Sequence, residues 1–203
     1  MKSFASGDLS TLEVYRLLTG AVSPRPIALV ASKGKKGINL APFSFFNVVS
    51  VDPAILMFAP LRRMRDGSQK DTYHNVMEHP ECSVQVVTGD IVERVNVCAK
   101  DFPSEVNEFE ASGLTMVDSE LIAVPRVAES PIQMECRVDR VISLGEKGGA
   151  GNMVLCEVLK IHLHDNVYAD GQVVLEELHL VGRNNKDSYT RVVPEAMFDL
   201  KKP

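Results

Sequence analysis

Two long runs of β-forming residues, 132–144 and 153–164, constrain the fold most, because only the glycine-rich stretch 145–152 separates them. Long apolar runs on either side of a glycine-rich turn are typical of an antiparallel hairpin. Shorter runs of the same kind are bounded by turn residues; they lie at residues 26–32, from Ile38 onward, 45–51, 54–59, 82–88 and near Val173. Pro53 cannot donate to a strand ladder and therefore predicts the turn between 45–51 and 54–59.

A few short helices accompany these strands. Ser10 and Glu13 form a capping box that predicts a helix through residue 20, with an apolar face at Leu12, Tyr15 and Leu18 and an end at Gly20.

Residues 71–79 predict a second helix, which Pro80 ends. Ser104 is expected to cap a third helix that runs through Glu110 and stops at Gly113.

The pattern has no regular alternation of strands and helices, which disfavours a Rossmann fold. So many strands in one domain usually close into a barrel, because closure removes exposed edges. The prediction is a mainly β, antiparallel barrel with a few short peripheral helices.

The charge and cysteine content exclude several classes of function. With 22 Lys and Arg against 27 Asp and Glu, the net charge is −5, so no global basic field favours nucleic acid or an anionic membrane. The first residues lack the apolar core of a secretory signal, and no run is long and apolar enough for a membrane span. The four cysteines contain no CxxC pair, which predicts free thiols, no metal site and a cytoplasmic location.

Residues 39–47, with the sequence NLAPFSFFN, are unusual for a plain strand. Pro42 interrupts the ladder, phenylalanines crowd together, and Ser44 and Asn47 break the apolar face. A bent strand of this kind leaves backbone groups free to meet a flat heterocyclic ligand. Taken alone, the segment is equally well a bulged core strand with a buried serine. The candidate contacts are Asn39, Ala41, Pro42, Phe43, Ser44, Phe45 and Asn47.

A concentrated cationic stretch, RRMRDGSQKDT, follows at residues 62–72, just before the predicted helix. Arginine forks, a lysine, a threonine hydroxyl and free amides at a helix start are groups that bind phosphate. A solvated loop in which Asp71 or Thr72 caps the helix is the simpler alternative. Together with residues 39–47, however, this stretch predicts a ring site and a phosphate site on consecutive elements. Its candidate residues are Arg62, Lys70, Asp71 and Thr72.

Six stretches in this order resemble the flavin reductase-like family of FMN-binding split-barrel proteins, which includes flavoredoxin-like chains. They are SPRPIALV at 23–30, residues 39–47, KDT at 70–72, NEFEASGL at 107–114, SPIQMEC at 130–136, and VGR at 181–183 with Tyr189. Residues 184–188 depart from the family's small, glycine-rich steps, so no role is assigned to Tyr189. The resemblance extends over nearly the whole chain, which we treat as one domain of residues 1–203 with a helix in 1–20 and a tail at 190–203.

The resemblance implies a homodimeric split barrel with FMN near the subunit interface. It further implies that residues 39–47 lie along the flavin and that Lys70 and Thr72 face its phosphate. The expected function is an oxidoreductase that carries electrons from NADH, NADPH or a protein donor through FMN to a flavin or other small acceptor. Because the cofactor supplies the redox chemistry, no acid–base residue is named.

Several alternatives stay open at this point. The chain could be a non-catalytic FMN-binding or electron-carrier module, or a hydrolase or metal enzyme on a similar barrel. The glycine-rich stretch 145–152 lacks the Gly-Lys-Ser/Thr ending of a phosphate loop and predicts a mobile hairpin. His162 and His164 share one side of a strand, where they either line a substrate cleft or, with a third ligand, hold a metal.

Overall fold

The computed structural model describes residues 1–201 and confirms a mainly β architecture with five short α-helices. The helices are α1 (Thr11–Ala21), α2 (Asp71–Glu78), α3 (Val92–Val97), α4 (Glu108–Ser112) and α5 (Leu175–Leu178). The strands are β1 (Ala28–Gly34), β2 (Gly37–Phe43), β3 (Phe46–Val51), β4 (Ala54–Phe58), β5 (Glu81–Val86), β6 (Met116–Val117), β7 (Arg126–Val127), β8 (Ile132–Ser143), β9 (Asn152–Leu163), β10 (Tyr168–Ala169), β11 (Gln172–Val173), β12 (Val181–Arg183) and β13 (Tyr189–Arg191). No helix within this part of the chain has the length and apolarity needed to cross a membrane.

Seven antiparallel strands form the main sheet in the order β2-β1-β5-β8-β9-β4-β3. The two edge strands β2 and β3 are consecutive in the chain, and Ser44 and Phe45 join them directly. The sheet must therefore curl until its two edges meet at this corner, which is the geometry of a barrel with a split. The long hairpin of β8 and β9 forms its centre, with Ile132 opposite Leu163 and Ser143 opposite Asn152.

One apolar cluster fills the barrel, and strands on all sides contribute to it. Phe43 of β2 stacks on Phe58 of β4, with 5.4 Å between the ring centroids. Cys82, Cys136 and Cys156 lie buried in the same cluster as free thiols. Side chains from six of the seven strands of the main sheet thus pack together in the barrel interior.

A second apolar cluster covers the outer face of β1 and β2. Leu29 and Leu40 point outward and pack with Val95 of α3 and Phe109 of α4. Because β1 is buried on both faces, it reads in sequence as a continuous apolar run rather than an alternating one. The helices α3 and α4 therefore lie beside the edge strand β2. The site described below lies along β2, next to these helices.

The sequence predictions hold for the strand pairs, the capping box of α1 and the helix before Pro80. Three local predictions were wrong. The segment 39–47 is two strands that meet at a corner, not one bent strand. Helix α1 continues through Gly20 to Ala21.

The third error concerns the cap of α4. Asn107 caps this helix by accepting the N–H of Phe109 at 3.0 Å, while the Ser104 hydroxyl donates to Asp71 at 2.8 Å. Gly113 does end the helix, in the left-handed conformation that glycine tolerates. Helix α3 was not predicted. Residues 190–201 contain most of β13 and a 3₁₀ turn at Pro194–Ala196, and the end of the predicted tail, 202–203, lies outside the described residues.

Candidate functional site

A groove runs along the edge strand β2 and consists of three connected cavities. The central cavity is narrow, about 70 Å³. Pro42 and Ala99 connect it with a wider cavity of about 240 Å³, and Asn39 and Asp71 connect it with a third of about 230 Å³. Seven of the predicted site residues line these cavities. The central cavity has Asn39, Ala41, Pro42, Lys70, Asp71 and Thr72, and Ser44 lines the wider cavity, which also contains Pro42.

The central cavity joins the two segments that the sequence predicted to form one site. Lys70 occupies the cap position of α2, and the buried Thr72 lies in the first turn of that helix. The amide of Asn39 on β2 donates to the Thr72 hydroxyl oxygen at 3.0 Å. This bond leaves the Thr72 proton free to be donated to a ligand, since a hydroxyl is one donor as well as an acceptor. Edge strand and helix therefore present adjacent polar groups to the same cavity.

Lys70 lines this cavity and, among residues 1–201, forms no ion pair with a carboxylate; neither does the exposed Lys100 on the opposite wall. Within residues 1–201, the neighbouring carboxylates pair elsewhere: Asp71 and Asp101 lie 3.3 and 3.4 Å from the guanidinium of Arg63. Burial lowers the pKa of the Lys70 ammonium, against the smaller raising effect of Asp101. A half-buried ammonium without an ion-pair partner favours an anion beside it, because the anion compensates for its partial desolvation.

Arg63 was not among the predicted site residues, although its neighbour Arg62 was. The guanidinium of Arg62 does not line the cavity. It donates to the carbonyl of Gly145 in the glycine-rich hairpin at 3.1 Å and to that of Gly67 in its own loop at 3.0 Å. Since both arginines lie in one cationic run, the sequence carries no signal that separates them. Only the path of the loop turns Arg63 inward.

The glycine-rich stretch, which the sequence predicted to be a mobile hairpin, packs against the loop that carries Arg62 and Arg63. The N–H of Arg62 donates to Ala150 O at 2.8 Å, and the N–H of Gly149 donates back to Arg62 O at 3.0 Å. A Cβ added at Gly148 would approach Met64 O to 2.7 Å, so a side chain there has no space. The hairpin thus packs backbone to backbone against the cationic loop and supports it.

The opposite wall of the central cavity comes from residues 98–102 after α3, and from Glu108. The carboxylate of Glu108 is buried and accepts the N–H of Leu40 at 3.0 Å, which satisfies a donor on the free edge of β2. Burial raises the pKa of this carboxyl. Sequence reasoning missed residues 98–102 of this wall, because it assigned no element to residues 89–103; it placed Glu108 in the third predicted helix without naming it as a site residue.

The wider cavity combines apolar and aromatic walls with a few polar groups. Pro42, Ile27 and Val95 form apolar surface, and Tyr189 closes one side with the guanidinium of Arg183 stacked 4.5 Å from its ring centroid. Backbone hydrogen bonds between Arg25 and Arg183, at 2.9 and 2.8 Å, tie this C-terminal hairpin to the segment just before β1. Tyr189, to which the sequence assigned no role, is therefore part of the cavity wall.

Three of the remaining predicted contacts lie outside the cavity lining. Phe43 faces the barrel interior against Phe58. The Phe45 ring lies 5.9 Å below the guanidinium of Arg25. Asn47 is exposed on β3, where its side chain accepts the N–H of Val48 at 2.8 Å.

The histidines considered for metal binding lie away from the groove. His162 Nε2 lies 2.7 Å from the buried carboxylate of Glu135, and His164 is exposed. Across residues 1–201, no three His, Cys, Asp or Glu side chains are grouped as a metal site requires.

The shape of the groove suits the two parts of the nucleotide-like ligand that the sequence predicted. A flat ring suits the wider cavity, with its apolar and aromatic walls and few polar groups, and a phosphate suits the narrow cavity, which Lys70 and Thr72 line.

The antiparallel barrel and the groove along its edge strand are the features of split-barrel flavin-binding proteins. Comparison with known proteins places the chain in the same class. Residues 20–177 match the model of the flavin reductase like domain, and the chain belongs to that family. It is similar to the uncharacterized protein BH2278 of Halalkalibacterium halodurans, with 44% identity over 90% of this chain and 88% of the relative.

Two solved structures have the same fold at recognisable sequence identity. Nitrilotriacetate monooxygenase component B from Bacillus cereus is 33% identical, covers 98% of both chains and superposes with a TM-score of 0.92. The 2-nitrobenzoate 2-nitroreductase NbaA from Pseudomonas fluorescens is 30% identical over 100% of this chain and 96% of its own, with a TM-score of 0.87. Family and neighbours support a flavin-linked oxidoreductase.

Proposed function

We propose that the protein is an FMN-dependent oxidoreductase that takes electrons from NADH or NADPH and passes them through FMN to a flavin or another small acceptor. One observation carries the proposal: the unpaired Lys70 ammonium and the Thr72 hydroxyl stand at the narrow end of a groove whose wide end is apolar and aromatic. FMN, when bound, supplies the redox chemistry, because its ring accepts and releases electron pairs.

The residues of the chain then bind, orient and shield the cofactor. We assign the phosphate to Lys70 and Thr72, with Arg63 nearby to strengthen the positive field. Asp71 serves as a positioning residue, since Arg63 and Ser104 already engage its carboxylate. We assign the ring to the wider cavity, where Pro42, Ser44 and Tyr189 exclude water from it. No side chain is needed as nucleophile or general base.

An absorbance spectrum of the purified protein tests this function. We expect visible flavin absorbance, either as purified or after titration with FMN, and bleaching when NADH or NADPH is added without oxygen. A matched sample of free FMN with the same nicotinamide serves as the control and should bleach far more slowly. Absence of flavin uptake would reject the function. Uptake without bleaching by either nicotinamide would instead favour an electron carrier that receives electrons from a protein.

The proposal includes a homodimer in the cytoplasm. Valines at 48, 49 and 51 on the edge strand β3 are 52–86% exposed, and Leu12 and Leu18 of α1 are 49% and 58% exposed. Apolar residues on a sheet edge and on the apolar side of a helix are typical of a surface that another chain covers. Four buried free thiols are consistent with a reducing compartment.

Light scattering coupled to gel filtration checks the dimer. We expect twice the chain mass of 22.3 kDa, and a shift to the single-chain mass when Val48 and Val51 are both replaced by glutamate. Glutamates facing each other across an interface repel and are costly to bury, whereas on a free surface they are tolerated. A wild-type protein of single-chain mass would contradict the dimer.

A further inference from the structure

Arg25 precedes β1 and is a buried cation with no role in the proposed function. It is 6% exposed, and among residues 1–201 no carboxylate forms an ion pair with it. Its guanidinium instead donates to Thr19 O at 2.6 Å and to Val22 O at 2.9 Å, which lie at the C-terminal end of α1. The carbonyl end of a helix carries partial negative charge and favours a cation. Because arginine stays protonated in proteins, Arg25 keeps a positive charge in the interior.

Ser44 receives a further hydrogen bond from this guanidinium. Arg25 Nε lies 3.3 Å from Ser44 Oγ, at the corner where β2 and β3 meet. Arginine nitrogens only donate, so the serine oxygen accepts this bond and its own proton points elsewhere. Within residues 1–201 the Ser44 hydroxyl forms no other hydrogen bond, and Ser44 lines the wider cavity. The contact therefore leaves a hydroxyl proton free beside the cavity to which we assign the flavin ring.

Several contacts fix the position of the Arg25 guanidinium. Its Nη2 donates to Asn184 O at 3.0 Å, and the Phe45 ring centroid lies 5.9 Å from its central carbon. A Cβ added at Gly182 would approach Pro24 Cβ to 2.7 Å, so the hairpin of β12 and β13 packs directly on the segment that carries Arg25. Helix α1, the β2–β3 corner and this hairpin each contribute to the wall of the wider cavity, and Arg25 joins all three.

We propose that Arg25 is a positioning residue for the flavin ring, because it orients the Ser44 hydroxyl toward the wider cavity and polarises it. A hydroxyl whose oxygen accepts from a cation is a stronger donor, since successive hydrogen bonds polarise one another. Reduction adds negative charge to the flavin ring, so a donor aimed at the ring stabilises the reduced form more than the oxidised form. Arg25 therefore raises the reduction potential of bound FMN, although it does not line the ring cavity itself. This inference rests on the proposed flavin function.

The reduction potential of bound FMN, measured without oxygen by equilibration with a reference dye, tests this role separately from turnover. We expect Arg25→Gln and Ser44→Ala each to lower the equilibrium constant for two-electron reduction about tenfold, which corresponds to about 30 mV. Because Arg25 acts through Ser44, the double variant should lie within about twofold of either single variant.

Two further variants complete the experiment. Arg25→Lys keeps the positive charge and a donor, so its equilibrium constant should stay within about threefold of the wild-type value. Arg16→Gln makes the same change as Arg25→Gln at an exposed arginine of α1 outside the lining of the wider cavity, and it should leave the potential unchanged.

A purely structural role of Arg25 predicts a different pattern. A loosened cavity weakens oxidised and reduced FMN alike, and only an unequal effect on the two forms moves the potential. A wild-type potential in Arg25→Gln or in Ser44→Ala would therefore overturn the inference. Additive losses in the double variant would do so as well, as would an Arg25→Lys potential as low as that of Arg25→Gln.

Ser44→Ala keeps the inference testable if the Arg25 variants fail to fold, which circular dichroism would show. A wild-type potential in Ser44→Ala then rejects the role of Arg25, since that role passes through the Ser44 hydroxyl. Failure of the wild-type protein to bind FMN rejects the proposed function itself. Binding and reduction of FMN at a potential that none of these variants changes rejects this inference alone.

Discussion

Replacing Lys70 and Thr72 together with alanine is expected to weaken FMN binding by roughly 10²- to 10⁴-fold. Hydrogen bonds to a charged group contribute about 1.5–3 kcal/mol each, and about 1.4 kcal/mol corresponds to a factor of ten. Arg63 engages Asp71 and Asp101, the carboxylates next to Lys70, and Lys70 forms no ion pair among residues 1–201, so its ammonium is available to the phosphate. Fluorescence titration measures the dissociation constants of the variant and the wild type.

Two further variants serve as controls that should keep the FMN affinity. Thr72→Ser keeps the hydroxyl that accepts the Asn39 amide and should bind FMN nearly as the wild type does. Lys147→Ala removes an exposed lysine of the glycine-rich hairpin outside the cavity lining and should change nothing. If the double alanine variant has native circular dichroism and an unchanged affinity, the phosphate lies elsewhere.

Replacing Glu135 with alanine is expected to lower the free energy of unfolding by about 3–5 kcal/mol, because it leaves buried charge without its partner. The carboxylate is fully buried and accepts the N–H groups of Glu120 at 2.9 Å and Leu121 at 2.6 Å. His162 Nε2 lies 2.7 Å away, and the Arg126 guanidinium lies at 3.7 Å. Urea denaturation followed by circular dichroism measures the loss.

The neighbouring strand provides a matched control. Glu157 forms an exposed ion pair with Arg137 at 2.8 Å, and Glu157→Ala should cost no more than about 1 kcal/mol. Equal losses in Glu135→Ala and Glu157→Ala would contradict the assignment of Glu135 as the centre of a buried polar cluster.

The same carboxylate adds a pH dependence with a defined sign. Burial acts to raise the pKa of Glu135, but the backbone N–H groups of Glu120 and Leu121, with His162, outweigh it and hold the pKa below the ordinary 4.5. Its contribution to stability is therefore complete above pH 4.5 and is lost as the pH falls through the folded pKa. The variant Glu135→Gln should show a smaller loss of stability on acidification.

The sequence predicted pairs of strands well because their signals are local. Turn residues such as Pro53 and the Gly-rich stretch mark where the chain reverses, and apolar runs mark what it buries. The cap of α4 failed for a local reason as well, since Asn107 and Ser104 are both good caps and the hydroxyl found another partner in Asp71. Helix α3 was missed because its six residues are too few to show a helical period.

By itself, the sequence determined the antiparallel architecture and the pair of segments that meet at the site, because hydrophobic pattern, turn chemistry and a cationic run are all written in consecutive residues. The tertiary structure decided which members of those segments reach the groove. Arg63 turns inward and Arg62 does not, Phe43 enters the core, and Tyr189 arrives from the far end of the chain. Such choices depend on where distant segments pack against each other, and side chains adjacent in sequence carry no information about that.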